Sequence, residues 1–444
     1  MTLKLYEYKG EVHPDDVKYL SSSSRIVELD APEFVRIPLS QHIGAPAKPI
    51  VKEGDYVKVG QLIGEAGGFV SAKVHSSVSG KVRKIDKFIS APFGLPALMI
   101  EIENDGKYEE VEFEECENYL DEDPKVLLQK IQNAGIVGMG GATFPTHVKL
   151  SPPPDFKIDT FIANGAECEP YLTADYRLML EEPEKIIEGI KIVMRILGVE
   201  KSYIAIESNK PDCIEKMQEL TKFENIEVVS LPQKYPMGAE KQLIYTITGR
   251  EVPSGGLPMH VGCVVQNVGT LSAIYEAVRF GIPLIKRVTS VTGEGIKRPT
   301  NFRAKIGSLA SFLIEKAGGL KPNVLKIISG GPMMGFAQFT TEFPITKGSS
   351  GILALRENRV KISDYRACIK CGSCVRVCPM RLVPSKMSIL IENNLFEEAD
   401  KNDVLDCIEC GSCAYVCPSK RPLVHFFRLG KAKAMEIRRA KKGG

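Results

Sequence analysis

Apolar and polar positions follow several rhythms along this chain. From Ala31 to about Glu114, short β-branched runs alternate with charged residues and are cut by glycines, as in IVKEGDYVKVGQLIGEAGG and VHSSVSGKVRKI. That pattern predicts many short strands folded into a compact β unit. After Asp123-Pro124 the apolar spacing moves to about 3.6 residues. PKVLLQKIQNAGI, from Pro124 to Ile136, predicts a helix with proline in its first turn, and EKIIEGIKIVMRILG predicts a second, amphipathic one. SYIAIES reads as a strand, and the alternation through about Gly249 predicts an α/β domain. From Arg250 to about Gly351 glycines recur in VPSGGLPMHVG, VTGEGIKRP and ISGGPMMG, around a helix at SLASFLIEKAGG and strands at KRVTSVTG and VLKIISG. That stretch predicts a small α+β module. The predicted units are therefore a lead-in with a β unit at 1–115, an α/β domain at 116–250, the glycine-rich module at 251–355, a cysteine-rich domain at 356–425 and a basic tail at 426–444.

Composition narrows the function classes. The 444 residues are 43% hydrophobic and 25% charged with a net charge of +3, so a sizeable core is available and no global nucleic-acid signature exists. Charge is uneven: from Arg428 to Lys442 seven residues are basic and only Glu436 is acidic. The start MTLKLYEYKG lacks the apolar core of a signal peptide, and no uncharged apolar run reaches the roughly 18 residues of a membrane span. The expectation is a cytoplasmic protein with reduced thiols, in which ordered cysteines point to metal or catalysis.

Eight of the twelve cysteines fall in two runs, CIKCGSCVRVCPM from Cys368 and CIECGSCAYVCPS from Cys407. Both read C-x2-C-x2-C-x3-C-P, the spacing of a pair of [4Fe–4S] clusters in which the fourth cysteine of each run serves the other cluster. Cluster one is expected on Cys368, Cys371, Cys374 and Cys417, and cluster two on Cys378, Cys407, Cys410 and Cys413. Structural zinc is the competing reading, but zinc sites usually supply two separated C-x2-C pairs. Cys116, Cys168, Cys213 and Cys263 have no ligand spacing and read as small buried thiols. The six histidines are scattered without metal spacing and read as structural.

Such clusters pass one electron at a time, so something must load or drain them. The internal candidate is GIVGMGGATFPTHVK, Gly135 to Lys149. It is not a P-loop, because no Gly-Lys-Ser/Thr follows, nor a dinucleotide fingerprint, because the third glycine position is Thr143. On the residues alone it is either a structural turn or a loop presenting backbone N–H groups to an anion, with Lys149 nearby.

GMGGATFPTHVKL followed by FIANGAECEPYLTADYR resembles the flavin- and NADH-binding segments of the complex I flavoprotein subunit, and VVQNVGTL resembles that family's VVNNVETL. VKEGDYVKVGQLIGE resembles half of a biotinyl or lipoyl carrier domain, the barrel-sandwich hybrid, although the position of the carrier lysine is Phe69, so a carrier fold without a carrier role is expected. The order of parts resembles the C subunits of Rnf electron-transport complexes (ion-translocating ferredoxin:NAD oxidoreductases) over essentially the whole chain. Corrinoid reductases share the parts in another order. The resemblance implies a multidomain α/β and β fold: barrel-sandwich hybrid, complex I flavoprotein-like α/β domain, β-grasp-like (SLBB) module and ferredoxin-like two-cluster domain. It implies FMN lined by Gly138, Gly140 and Gly141 with Lys149 facing its phosphate, and Asn164 and Glu167 near the ring system. It also implies Asn267 and Thr270 on the phosphate side, Gly238 and Glu240 bordering flavin and NADH, and Glu169 near the nicotinamide nucleotide. Met139, Ala166 and Ala239 depart from the family's pattern. The implied function is electron exchange between NAD(H), FMN and two [4Fe–4S] clusters, in a subunit held peripherally on the cytoplasmic side of the membrane. Its partners would be the other membrane and ferredoxin-like subunits, with ferredoxin reached indirectly and no nucleic acid involved. The alternatives are a soluble flavin-dependent corrinoid reductase and a flavin-free iron–sulfur conduit.

Overall fold

The computed structural model describes residues 4–90, 94–360 and 364–442. The first strand, β1 (Ile26–Glu28), leaves the lead-in to join a sheet built from much later residues. Next come β2 (Phe34–Pro38), β3 (Lys48–Pro49), β4 (Tyr56–Val57), β5 (Leu62–Glu65), β6 (Val74–His75), β7 (Gly80–Ser90) and β8 (Leu95–Asn104). They form a four-stranded sheet, β2-β8-β7-β4, and a three-stranded sheet, β3-β5-β6, all antiparallel. Alternation explains the sandwich: Val35, Ile37, Val57, Ile63, Val74, Val82, Ile100 and Ile102 point inward and are buried, each contributing about 1.5–3 kcal/mol. Phe69, at the position a carrier lysine would take, is 79% exposed.

Helix α1 (Pro124–Asn133) starts at an Asp123 cap that accepts from the Lys125 amide, with proline in the first turn as the sequence predicts. A short α2 (Thr146–Lys149) ends the glycine-rich segment. A parallel sheet follows, from β9 (Thr160–Gly165), β10 (Ser202–Glu207), β11 (Ile226–Leu231) and β12 (Cys263–Asn267), in the order β11-β10-β9-β12. Its crossovers carry α3 (Ala174–Glu181), α4 (Pro183–Leu197), α5 (Pro211–Leu220) and α6 (Glu240–Thr248), and α7 (Val268–Phe280) follows β12. The apolar stripe of α4 (Ile186, Ile187, Ile190, Val193) is buried with Leu271, Ile274 and Val278 of α7. β12 and α7 lie beyond residue 250 yet belong to this sheet, because strand pairing rather than glycine content sets the unit.

The glycine-rich module is a six-stranded mixed sheet, β1-β14-β13-β17-β15-β16, made of β13 (Lys286–Thr292), β14 (Thr300–Lys305), β15 (Val324–Ser329), β16 (Phe336–Gln338) and β17 (Gly351–Arg356) with β1, and it carries α8 (Ala310–Lys316). The cysteine-rich domain is helical: α9 (Ser373–Arg376), α10 (Pro384–Glu392), α11 (Phe396–Asp400), α12 (Ser412–Tyr415) and α13 (Leu423–Lys442). The basic stretch is therefore no free tail but most of α13, whose Leu423, Phe427 and Ala434 join the core with Met387, Ile391 and Ala399. Arg438 pairs with Asp400 at 2.7 Å and Lys441 with Glu397 at 3.1 Å. The lead-in is likewise ordered: the Tyr6 amide donates to the Thr246 carbonyl, and Val12 bridges Tyr235.

Candidate functional site

Strand order says where a ligand would go. The chain steps from β9 outward to β10 and β11, then returns to the other side of β9 for β12. Such a reversal leaves a crevice outside the carboxyl ends of β9 and β12, the usual ligand position in open parallel sheets. Asn164 and Asn267 are register partners at those ends.

The glycine-rich loop closes over this crevice. Val137 bridges Pro145 and the Gly138 amide donates to the Phe144 carbonyl at 2.9 Å, so residues 139–143 project as a tip. From below, the Met139 amide donates to Thr270 Oγ1 at 2.9 Å. A Cβ on Gly140 would stand 2.8 Å from that of Asn267, whereas one on Gly141 would meet nothing within 4 Å. The amides of Gly140, Gly141 and Ala142 donate to no acceptor among the described residues. Successive open N–H groups of this kind make an anion cradle, and the amino end of α7 beside them adds its dipole. Asn267 caps that end, accepting from the Gly269 amide at 2.8 Å and donating to Asp175 at 2.6 Å.

Other expected site residues gather at the rim or beneath it. Lys149 Nζ meets Glu240 Oε1 at 2.5 Å. Asn164 Nδ2 donates to the Gly238 carbonyl at 2.9 Å, and Asn164 Oδ1 accepts from the Ala166 amide. The carboxylate of Glu167 turns instead to the first turn of α3, accepting from the Asp175 and Tyr176 amides, and lies 3.9 Å from the Lys18 ammonium. Glu169 accepts from the Met333 and Met334 amides at 3.1 and 2.7 Å, so it ties the sheet to the loop 330–335. Burial pushes its carboxyl up to about 7. Sequence reading missed Arg287. It enters from β13, is buried, and donates to the Met139 carbonyl at 2.9 Å, bringing a guanidinium to the loop. The signal was out of reach because Arg287 lies 148 residues from its partner.

The eight thiols separate into two recesses. Cys368, Cys371, Cys374 and Cys417 line one, and Cys378, Cys407, Cys410 and Cys413 line the other. The two runs fold alike: Lys370 and Glu409 both have φ +57°, and Gly372 and Gly411 are left-handed ahead of α9 and α12. The Lys370 and Glu409 amides each stand 3.4 Å from the sulfur two residues earlier, Cys368 and Cys407. Among the described residues no three or more histidine, cysteine or carboxylate side chains converge on a single ion position. The thiols surround spaces, four to each, the ligand number of a cubane. Arg421 lines the first recess. Its Nη2 reaches Glu392 at 2.7 Å while its buried Nε has no partner, leaving an N–H that fits a sulfide acceptor. The second recess is walled by Pro379, Met380, Leu382, Met387, Ile408 and Phe427. Of the remaining cysteines, Cys213 and Cys263 are buried, while Cys116 and Cys168 are only partly so. Among the histidines, buried His75 leaves Nδ1 without a partner.

Crevice and second recess are neighbours. Cys168 Sγ accepts from the Gly238 amide at 3.3 Å and belongs to one apolar cluster with Tyr235, Met333 and Cys410. The Tyr235 hydroxyl donates to the Cys410 carbonyl at 2.7 Å, and Gln242 Nε2 to the Pro379 carbonyl at 3.3 Å. Gly10 of the lead-in sits so close to the Cys378 carbonyl that a Cβ there would fall 2.3 Å from its oxygen.

A nucleotide crevice joined to a two-recess thiol domain defines a flavin and iron–sulfur electron-transfer protein, and family models agree part by part. Residues 6–107 match the RnfC barrel sandwich hybrid domain, 131–276 the Nuo51 FMN-binding domain, 288–337 the SLBB domain and 360–418 the 4Fe-4S dicluster domain. The C subunit of the proton-translocating ferredoxin:NAD(+) oxidoreductase complex of Clostridium ljungdahlii is 53% identical over 96% of this chain and 93% of its own. The C subunit of the Na(+)-translocating complex of Acetobacterium woodii is 47% identical over 99% of both chains. That of an ion-translocating oxidoreductase complex of Rhodobacter capsulatus is 43% identical over 98% of this chain and 84% of its own. The chain belongs to the RnfC family, the C subunits of Rnf complexes. A crystal structure of an NAD+-reducing [NiFe]-hydrogenase matches with a TM-score of 0.49 at 18% identity, over 72% of this chain and 65% of that one, too distant to add to the assignment.

Proposed function

We propose that this chain is the NAD-side electron-transfer subunit of an ion-translocating ferredoxin:NAD oxidoreductase complex, held on the cytoplasmic side of the membrane by partner subunits. No helix among the described residues is long and apolar enough to cross a membrane, so in this reading ion movement belongs to the partners. FMN, when bound, supplies the exchange between two-electron hydride chemistry and single electrons. The chain's own contribution is placement. The open amides of Gly140 to Ala142, with Lys149, would hold the phosphate, and Asn164, Gly238 and Glu240 would border the ring and the nicotinamide. No acid–base pair is needed, because hydride transfer rests on near-attack positioning. Cluster two, on Cys378, Cys407, Cys410 and Cys413, would be the flavin-side cluster, and cluster one the outward one.

The observation carrying this reading is the join between crevice and second recess through Gly238, Cys168, Tyr235 and Cys410. Neither alternative is favoured: the corrinoid reductases order their parts differently, and a flavin-free conduit leaves the anion cradle without a purpose. The test is an anaerobic NADH titration of the full chain after reconstitution with iron, sulfide and FMN. Flavin bleaching followed by loss of cluster absorbance is expected. Clusters that dithionite reduces but NADH leaves untouched, with no flavin retained, would sink it.

A further inference from the structure

The two lobes of the thiol domain are alike in backbone and opposite in surroundings. In the second lobe Glu409 is neutralised by Arg428 at 3.0 Å and Lys431 at 2.6 Å, and Gly411 lies against the Met333 carbonyl. The equivalent residue of the first lobe is Lys370, exposed and without an ion partner among the described residues. Cys371 beside it is the one exposed cysteine of the twelve. Its chain neighbours Ile369 and Val375 are exposed apolar side chains, at 66% and 36%. Arg376 donates to the Cys371 carbonyl at 3.2 Å, and the Lys420 amide donates to the Cys417 carbonyl. Neither side chain meets a carboxylate among the described residues. The sequence holds no Asp or Glu between Arg366 and Lys386, nor between Ala414 and Phe427.

We propose that this face, Ile369, Lys370, Val375, Arg376 and Lys420 around Cys371, docks an acidic one-electron-carrier subunit of the same complex. The inference rests on reading the chain as an electron carrier. A small apolar centre rimmed by unpaired charge of one sign is the make-up of an electrostatically steered interface. The other lobe is already covered by this chain's own loop 330–335 and α13, so an outside carrier has the first lobe to approach. Charge on this rim selects a carboxylate-rich partner and sets the rate of encounter more than the final affinity.

The experiment is zero-length carbodiimide crosslinking of the intact membrane complex, read by mass spectrometry, beside the K370E/K420E variant. The expected result is Lys370 or Lys420 joined to Asp or Glu of a partner subunit, in a yield that falls as salt rises. The variant should wash off the membranes at lower salt than the native chain, by a several-fold change in the salt needed. Crosslinks confined to lysines of α13, or a variant retained as firmly as the native chain with its iron content intact, would overturn the proposal. Capture of a free soluble ferredoxin in place of a subunit, or of anionic-lipid vesicles alone, would overturn it too. NADH bleaching of flavin in the isolated chain reports on the functional reading separately, so the two can fail independently.

Discussion

Lys347 donates from an enclosed ammonium to the carbonyls of Lys73 at 2.6 Å and Gly135 at 2.7 Å, with no ion partner among the described residues. Burial pulls its amine down to about 7 from 10.5. An amine lowered by folding favours the native state when neutral: the contribution is whole above the unfolded value and is lost as pH falls through the folded one. Thermal melts of the chain should therefore rise by several degrees from pH 6 to pH 9, and Lys347→Met should flatten that rise. Equal slopes in both proteins would assign the pH dependence elsewhere. Arg421 poses a second question at this scale. Arg421 lines the first recess and its buried Nε has no partner, and hydrogen bonds to sulfur raise a cluster's potential. Arg421→Gln should lower the midpoint of one cluster in potentiometric EPR and leave the other in place. Equal shifts, or none, would contradict the assigned role. Spacing along the chain had placed all eight cysteines in two sets, whereas the destinations of Glu167 and Glu169 were not legible. Each carboxylate serves backbone amides, of α3 and of a loop 164 residues away, and no local pattern encodes such a choice.

Helices and strands with clear periods could be read directly: α1, α4, β10, β13 and β15 each fall where apolar spacing places them. The glycine-rich loop could not, because its conformation depends on Thr270, Asn267 and Arg287 from three later elements. Its two central glycines separate packing from binding. Gly140→Ala would press a methyl into Asn267, so the loop and the amino end of α7 should both shift, with loss of stability and of FMN. Gly141→Ala meets no protein atom within 4 Å, so the apo protein should melt unchanged while FMN affinity falls about tenfold or more. Fluorescence titration with FMN beside apo-protein melts tests both. A Gly141→Ala chain that binds FMN like the native one would place the flavin away from this loop.

Across the whole molecule, residues with no period of their own hold the units together. The lead-in crosses from α6 to the thiol domain, and β1 completes the sheet of the glycine-rich module. Its sequence offers no rhythm because its contacts are short and spread over several neighbours. Gly10→Val would collide with the Cys378 carbonyl at a left-handed φ of +92°. Stopped-flow mixing with NADH should then show flavin bleaching at the native rate and cluster bleaching slowed at least several-fold; two unchanged phases would show that the seat at Gly10 is dispensable. The crossed cysteine sets carry a consequence for biogenesis. A chain that stops between Cys374 and Cys413 offers three thiols to one recess and an incomplete set to the other. Iron delivery to a nascent or truncated chain thus finds no finished site, and metal loading itself becomes a proofreading step that only a nearly full-length product can pass.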